Sequence, residues 1–190
     1  CPPRKPPDRH TQLLTISLVD TSRIAPLRDS RRWDEAQARI PDSSPYGGVH
    51  ALLDQLRHRG IDIAVVSSSP RRLCEGILAH HNLACQVLVG YSDARHPKPH
   101  PDPYLTAMQQ LARTEADGVI AVGDSPGDIA AARRANILSV GAMWGCSDLP
   151  RLRASHPNAL CDSVADLAER LNCISVPGIE ELVPDNDIPF

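Results

Sequence analysis

Five short apolar runs of strand length recur along this chain, each separated from the next by a helical pattern, and that alternation restricts the fold more than any other feature. The runs are the stretch near residues 12 to 19, then "IDIAVVS", "CQVLVG", "GVIAVGD" and "ILSVGA". Between them "GVHALLDQLRHRG" sets Val49, Leu52, Leu53 and Leu56 on one helical face and stops at Gly60, where a left-handed C-terminal residue fits. "SSPRRLCEGILAHHN" offers Ser69 as a cap, Pro70 as a first helical residue and Asn82 as a stop. "PYLTAMQQLAR", "IAAARRAN" and "SVADLAERL" read as further helices, and "DSRRWDEAQARI" as a short polar one anchored by Trp33. Strands joined through helices require right-handed crossovers, so the expected fold is α/β: a Rossmann-like three-layer sandwich with a mostly parallel sheet.

At 190 residues the chain suits one domain able to bury a core without covalent staples. The six cysteines are scattered with no C-x-x-C pair, which argues for free thiols in a reducing compartment. No apolar run is long enough to span a bilayer, so the expectation is a soluble, cytoplasmic protein without a membrane partner. A net charge of -3 gives no electrostatic case for nucleic acid. The opening "CPPRKPPDRH" reads as a stiff linker or tail over residues 1–10, and residues 174–190 as a C-terminal tail whose Ile179, Leu182, Val183 and Phe190 could pack on this domain or on another chain. The chain begins at Cys1 and reads as a fragment of something longer.

Ligands of such sheets bind at the carboxyl ends of strands. The first run, "TISLVDTSRIAPL", passes straight into Asp20; the second ends at Ser67 and the fourth at Asp124. A carboxylate at the end of a buried strand is costly unless a metal, a hydrogen-bond network or a reaction uses it. If the first, second and fourth strands are neighbours, Asp20, Ser67 and Asp124 converge. In "VGDSPGDIAAA", Asp124 and Asp128 flank a tight turn where oxygen ligands could hold Mg2+, although Asp124 or Ser125 could equally cap the helix. The chain uses arginine almost throughout, and its only lysines are Lys5 and Lys98, the latter in "ARHPKPHPDPY". A compact ammonium in an arginine-rich body suits neutralisation of a phosphate beside a carboxylate. His96 and His100 flank that lysine, where contact with substrate and simple loop polarity explain them equally well.

Four motifs in this order, Asp20, Ser67, Lys98 within "KPHPDPY" and "GDSPGDIAAARRAN", resemble the haloacid dehalogenase superfamily over roughly residues 13 to 172. The resemblance implies that Asp20 is a nucleophile forming an aspartyl-phosphate, that Ser67 and Ser68 hold the phosphoryl group, and that Lys98 neutralises it and orders Asp20. It also implies Mg2+ bound by Asp20, Asp124 and Asp128. Two departures stand out. Phosphatases of that family read D-x-D, whereas "DTS" puts Ser22 in the second place, and loss of acid–base help costs about a hundred- to ten-thousand-fold. The second departure is the cap: residues from about 23 to 47 leave room for a minimal one and no large cap domain. An open site then implies a phosphorylated substrate that can be macromolecular, or an oligomer in which a neighbouring subunit serves as lid. The expected function is a Mg2+-dependent phosphohydrolase; an inactive binding domain and a dehalogenase are the alternatives.

Overall fold

The computed structural model describes residues 12–15, 18–112 and 118–173. The expected terminal tails therefore fall outside the described residues. A central parallel sheet contains β1 (Gln12–Thr15), β4 (Asp62–Val66), β5 (Val87–Val89), β6 (Val119–Gly123), β7 (Leu138–Ala142) and β8 (Ala159–Cys161). Their order is β5-β4-β1-β6-β7-β8, so the first, second and fourth expected strands do lie side by side. Thr15 is level with Val65 on one side and Val122 on the other.

Helices cover both faces. On one, α3 (Val49–His58) and α8 (Val164–Cys173) pack a core of Leu52, Leu53, Leu56, Ile63, Ile120 and Leu167. On the other, α5 (Asp102–Gln110) and α6 (Pro126–Arg134) bury Tyr104, Ala107, Met108, Ala131 and Ala132 against Ala64, Val66 and Ala121. Alanines predominate where α6 crosses the sheet because short side chains let helix and strands approach closely. The turns follow the sequence: Gly60 has φ 70°, and Asn82 and Asn136 take φ 52° and 58° in the left-handed region.

The first apolar run contributes to two sheets. β1 spans Gln12–Thr15, and β2 (Val19–Asp20) pairs antiparallel with β3 (Ser44–Pro45) in a separate two-stranded ribbon. Asp20 thus stands beyond the end of β1 and on a different sheet, opposite Ser44. The run stays apolar across that change because Leu18 remains in the core at 6% exposure. An apolar pattern reports burial, and here burial outlasts the sheet.

Between the ribbon strands lies a small helical insert, α1 (Ala25–Asp29) and α2 (Trp33–Ala38), bounded by single 3-10 turns. It rests on α4 (Arg71–His80) through Ala36, Ile40 and Leu73, with Leu27, Trp33 and Ile77 packed around them. Gly76 makes room for this contact: a Cβ there would lie 2.6 Å from Ile40 Cδ1. The cap expected of Ser69 on α4 is absent. Pro70 occupies the N-cap position without a side-chain bond, and the Ser69 hydroxyl is buried beneath the insert, where it accepts from Arg28. Outside the insert and ribbon, β8 and α7 (Leu149–Ala154) had no clear sequence signal, the latter capped by the Asp148 side chain on Arg151 N–H.

Candidate active site

Past the carboxyl ends of β4 and β6 the chain turns at Ser67 and Asp124, and the two face a cleft of about 290 Å³. Ser67, Ser68, Ser69, Lys98, Asp124, Ser125 and Asp128 line it together with Arg28 from the insert, Val19 of β2 and Leu18 and Thr21 on either side of that strand. The strand order accounts for the convergence, since β1 alone separates β4 from β6.

Lys98 enters from the loop between β5 and α5, and its side chain is only 5% exposed. Its Nζ lies 2.7 Å from Asp128 Oδ1 and donates to Val66 O at 3.2 Å. Asp128 is 2% exposed and fully engaged: Oδ1 meets Lys98, while Oδ2 accepts from Ser125 N at 3.1 Å and Ser125 Oγ at 2.7 Å. Ser125 in turn accepts from Asp128 N, closing a capping box at the start of α6. Asp128 therefore fixes Lys98 and the helix end, and Asp124 lines the cleft beside it. Gly145 backs it closely, since a Cβ there would lie 2.7 Å from Asp124 Oδ2.

Asp20 and Ser22 are not among the cleft-lining residues. Asp20 Oδ1 accepts from Ser22 N at 2.9 Å, and Ser22 itself is exposed at the start of a 3-10 turn. Lys98 pairs with Asp128, not with Asp20. The sequence carries no Asp or Glu from Thr11 to Val19, so the run containing β1 supplies no carboxylate either. Asp20 nonetheless influences the rim. The Tyr46 phenol, next to β3, is pushed up to about 12 by burial first and then by the charges of Asp20 and Asp124.

Arg28 went unnoticed in the sequence. From α1 its Nη1 donates to Thr21 Oγ1 at 2.5 Å and its Nε to Ser69 Oγ at 3.2 Å, with no carboxylate partner among the described residues. In a chain this rich in arginine no local pattern singles it out; only the docking of the insert brings it to the cleft. The lining thus carries two cations and two carboxylates, with Lys98 and Asp128 already neutralising each other. Mg2+ is held through one or two carboxylates, phosphate oxygens and retained waters, and the Asp124 carboxylate in a cleft also lined by Ser67 and Ser68 is a donor that fits it.

The profile of the haloacid dehalogenase-like hydrolase family matches residues 13–142. The chain belongs to that family. Among relatives, it is 29% identical over 121 residues to the pyrophosphatase PpaX of Oceanobacillus iheyensis, covering 63% of this chain and 56% of that protein. It is 33% identical over 139 residues to a phosphoglycolate phosphatase of Xylella fastidiosa, covering 72% of this chain and 58% of that one. The chain spans about half the length of the curated relatives it matches. Among solved structures, a hydrolase from Pseudomonas syringae superposes with a TM-score of 0.75 at 17% identity, covering 87% of this chain and 100% of that one. A predicted phosphatase from Clostridium acetobutylicum gives 0.72 at 20% identity, covering 87% and 99%. These likenesses establish the Rossmann-like α/β fold of a haloacid dehalogenase-like hydrolase. No helix among the described residues is long and apolar enough to cross a membrane.

Proposed function

We propose that the cleft binds the phosphoryl group of a phosphorylated substrate together with Mg2+, as a phosphohydrolase of this family. The convergence of Ser67, Lys98 and Asp124 on one cleft carries this reading. Ser67 and Ser68 donate to phosphoryl oxygens, Lys98 and Arg28 balance their charge, and Asp128 keeps Lys98 pointed at them. Asp124 holds the cation, which when bound supplies Lewis-acid neutralisation of the phosphoryl charge. In hydrolysis an Asp20 oxygen attacks phosphorus, the P–O bond to the leaving group breaks, and water later cleaves the aspartyl-phosphate to inorganic phosphate. This step requires Asp20 to reach into the cleft from β2, and Ser22 gives the leaving oxygen at most a hydrogen bond, so turnover is slow.

A second reading, binding without turnover, is favoured by one observation: the carboxylate that would attack lies off β1 and outside the cleft lining. Dehalogenation comes third, because it has no use for a cation at Asp124. The relatives named pyrophosphatase and phosphoglycolate phosphatase favour a small phosphate compound. The short insert leaves the cleft open enough for a phosphorylated macromolecule or for a neighbouring subunit as lid. A cytoplasmic setting suits such substrates.

Calorimetric titration with inorganic phosphate and Mg2+, alongside p-nitrophenyl phosphate turnover in the parent and Asp20→Asn, tests both readings. Turnover abolished in Asp20→Asn with phosphate binding retained supports hydrolysis. Binding in both proteins with no turnover in either selects the binding domain. Absence of phosphate binding in the parent overturns both.

A further inference from the structure

The loop that delivers Lys98 to the cleft carries a second cluster with metal-ligating chemistry on its outer side. In "HPKPHPDPY", His96, His100 and Asp102 are each followed by proline. The His96 and His100 rings stack with centroids 4.9 Å apart and planes 29° apart, and His96 Nδ1 lies 2.8 Å from Asp102 Oδ2. One donor atom from each of the three residues lies within 4.8 Å of the other two, and among the described residues this is the group of three or more His, Cys, Asp or Glu side chains that converges in this way. The Asp20, Asp124 and Asp128 carboxylates form no such group.

We propose that His96, His100 and Asp102 form a second cation site, for a borderline divalent ion such as Zn2+, that clamps the loop carrying Lys98. Two imidazoles and a carboxylate select such ions over Mg2+, which prefers an all-oxygen shell. Ligand bonds of about 2.0–2.2 Å hold donors roughly 3.3 Å apart in a tetrahedral site. The His96–Asp102 pair, at 2.8 Å, needs to open by only about half an ångström to reach that separation. His100 closes the remaining gap by side-chain rotation, which its exposed position allows. Prolines 97, 99, 101 and 103 fix φ at alternate residues, so little backbone entropy remains to be lost when the ligands are gathered. Two backbone groups join the clamp: His100 N–H donates to Pro97 O at 3.0 Å, and His96 N–H to Asp102 Oδ2 at 3.2 Å. Lys98 stands midway between the two histidines, so an ion bridging them restrains the segment that holds its ammonium against Asp128. The proposal is independent of whether Asp20 turns over substrate.

The test is Zn2+ titration of the untagged chain by calorimetry, with Ni2+ line broadening in 1H–15N spectra to locate the ion. The parent should show a micromolar site that is lost in His96→Ala and in His100→Ala and weakened about tenfold or more in Asp102→Asn, while His80→Ala retains it. Ni2+ should broaden amides of residues 95–103 first, and Zn2+ should slow amide exchange at His96 and His100. His80, His96 and His100 are exposed and Asp102 is half-buried, and Asp102→Asn keeps its size and an acceptor oxygen, so the variants should fold as the parent does. An isotherm unchanged in both His96→Ala and His100→Ala, or broadening centred elsewhere, overturns the proposal.

Discussion

Lys98 and Asp128 show what a buried charge demands of its surroundings. Each is almost wholly withdrawn from water, and each is tolerable because the other is 2.7 Å away and further hydrogen bonds engage both groups. Removing one partner strands the other. Asp128→Ala should therefore destabilise the fold by about 3–5 kcal/mol, and Lys98→Met by a similar amount. The double variant should cost clearly less than the sum, by about 1–3 kcal/mol of coupling. Urea unfolding of the four proteins measures this, and strict additivity would refute the pair's interdependence. Ser22 behaves oppositely. It is exposed outside the cleft, and p-nitrophenolate departs without needing a proton, so Ser22→Asp should leave p-nitrophenyl phosphate hydrolysis within about twofold of the parent. A large rise would mean that the introduced carboxylate activates the water that cleaves the aspartyl-phosphate. Lys98 was legible in the sequence because it is a rare residue type in this chain, whereas Arg28 was hidden among many like it.

At the level of elements, periodicity worked where one face alone is buried. Val49, Leu52, Leu53 and Leu56 of α3 are all at or below 3% exposure, as their spacing required. Leu53→Ala should cost about 2–5 kcal/mol, whereas Asp54→Ala, which breaks an exposed contact with Arg57, should change stability by under about 1 kcal/mol. Thermal and urea unfolding distinguish the two, and comparable losses would contradict the packing described. Elements held by tertiary contacts left weaker traces. The two-residue strands β2 and β3 exist because they pair with each other, and nothing within either stretch announces a ribbon. Gly76, in the interior of α4, makes sense only once Ile40 is seen packed against it. Ser69 carried the right signature for a cap and lost that role to a long-range bond with Arg28, whose partner lies 41 residues away.

For the whole molecule, burial of ionisable groups in different parts of the fold produces a pH dependence that individual elements would lack. Among the groups whose protonated forms the fold favours, the Tyr46 phenol beside the ribbon and the Cys161 thiol on β8 are each pushed up to about 12, in both cases chiefly by burial, and burial raises Tyr104, Cys74 and Cys85 as well. Neighbouring carboxylates add to it, Asp20 and Asp124 for Tyr46 and Asp166 for Cys161. In the unfolded chain a thiol loses its proton near about 8.5 and a phenol near about 10. Between those values and about 12 the unfolded state holds fewer protons than the folded one, so stability falls as pH rises. Below about pH 8 the contribution is fully present and the profile should be flat with respect to these groups. Urea midpoints should therefore decline from pH 9 to 11. Tyr46→Phe should flatten the part of that decline above about pH 10, because the variant has no phenol to ionise. Asp20→Asn should act in the same direction but less strongly, since it removes one of the charges that hold Tyr46 protonated while leaving the larger effect of burial in place. A Tyr46→Phe profile with the parent's slope above pH 10 would show that the ribbon does not shield Tyr46, and would remove the electrostatic link between Asp20 on β2 and Asp124 at the end of β6.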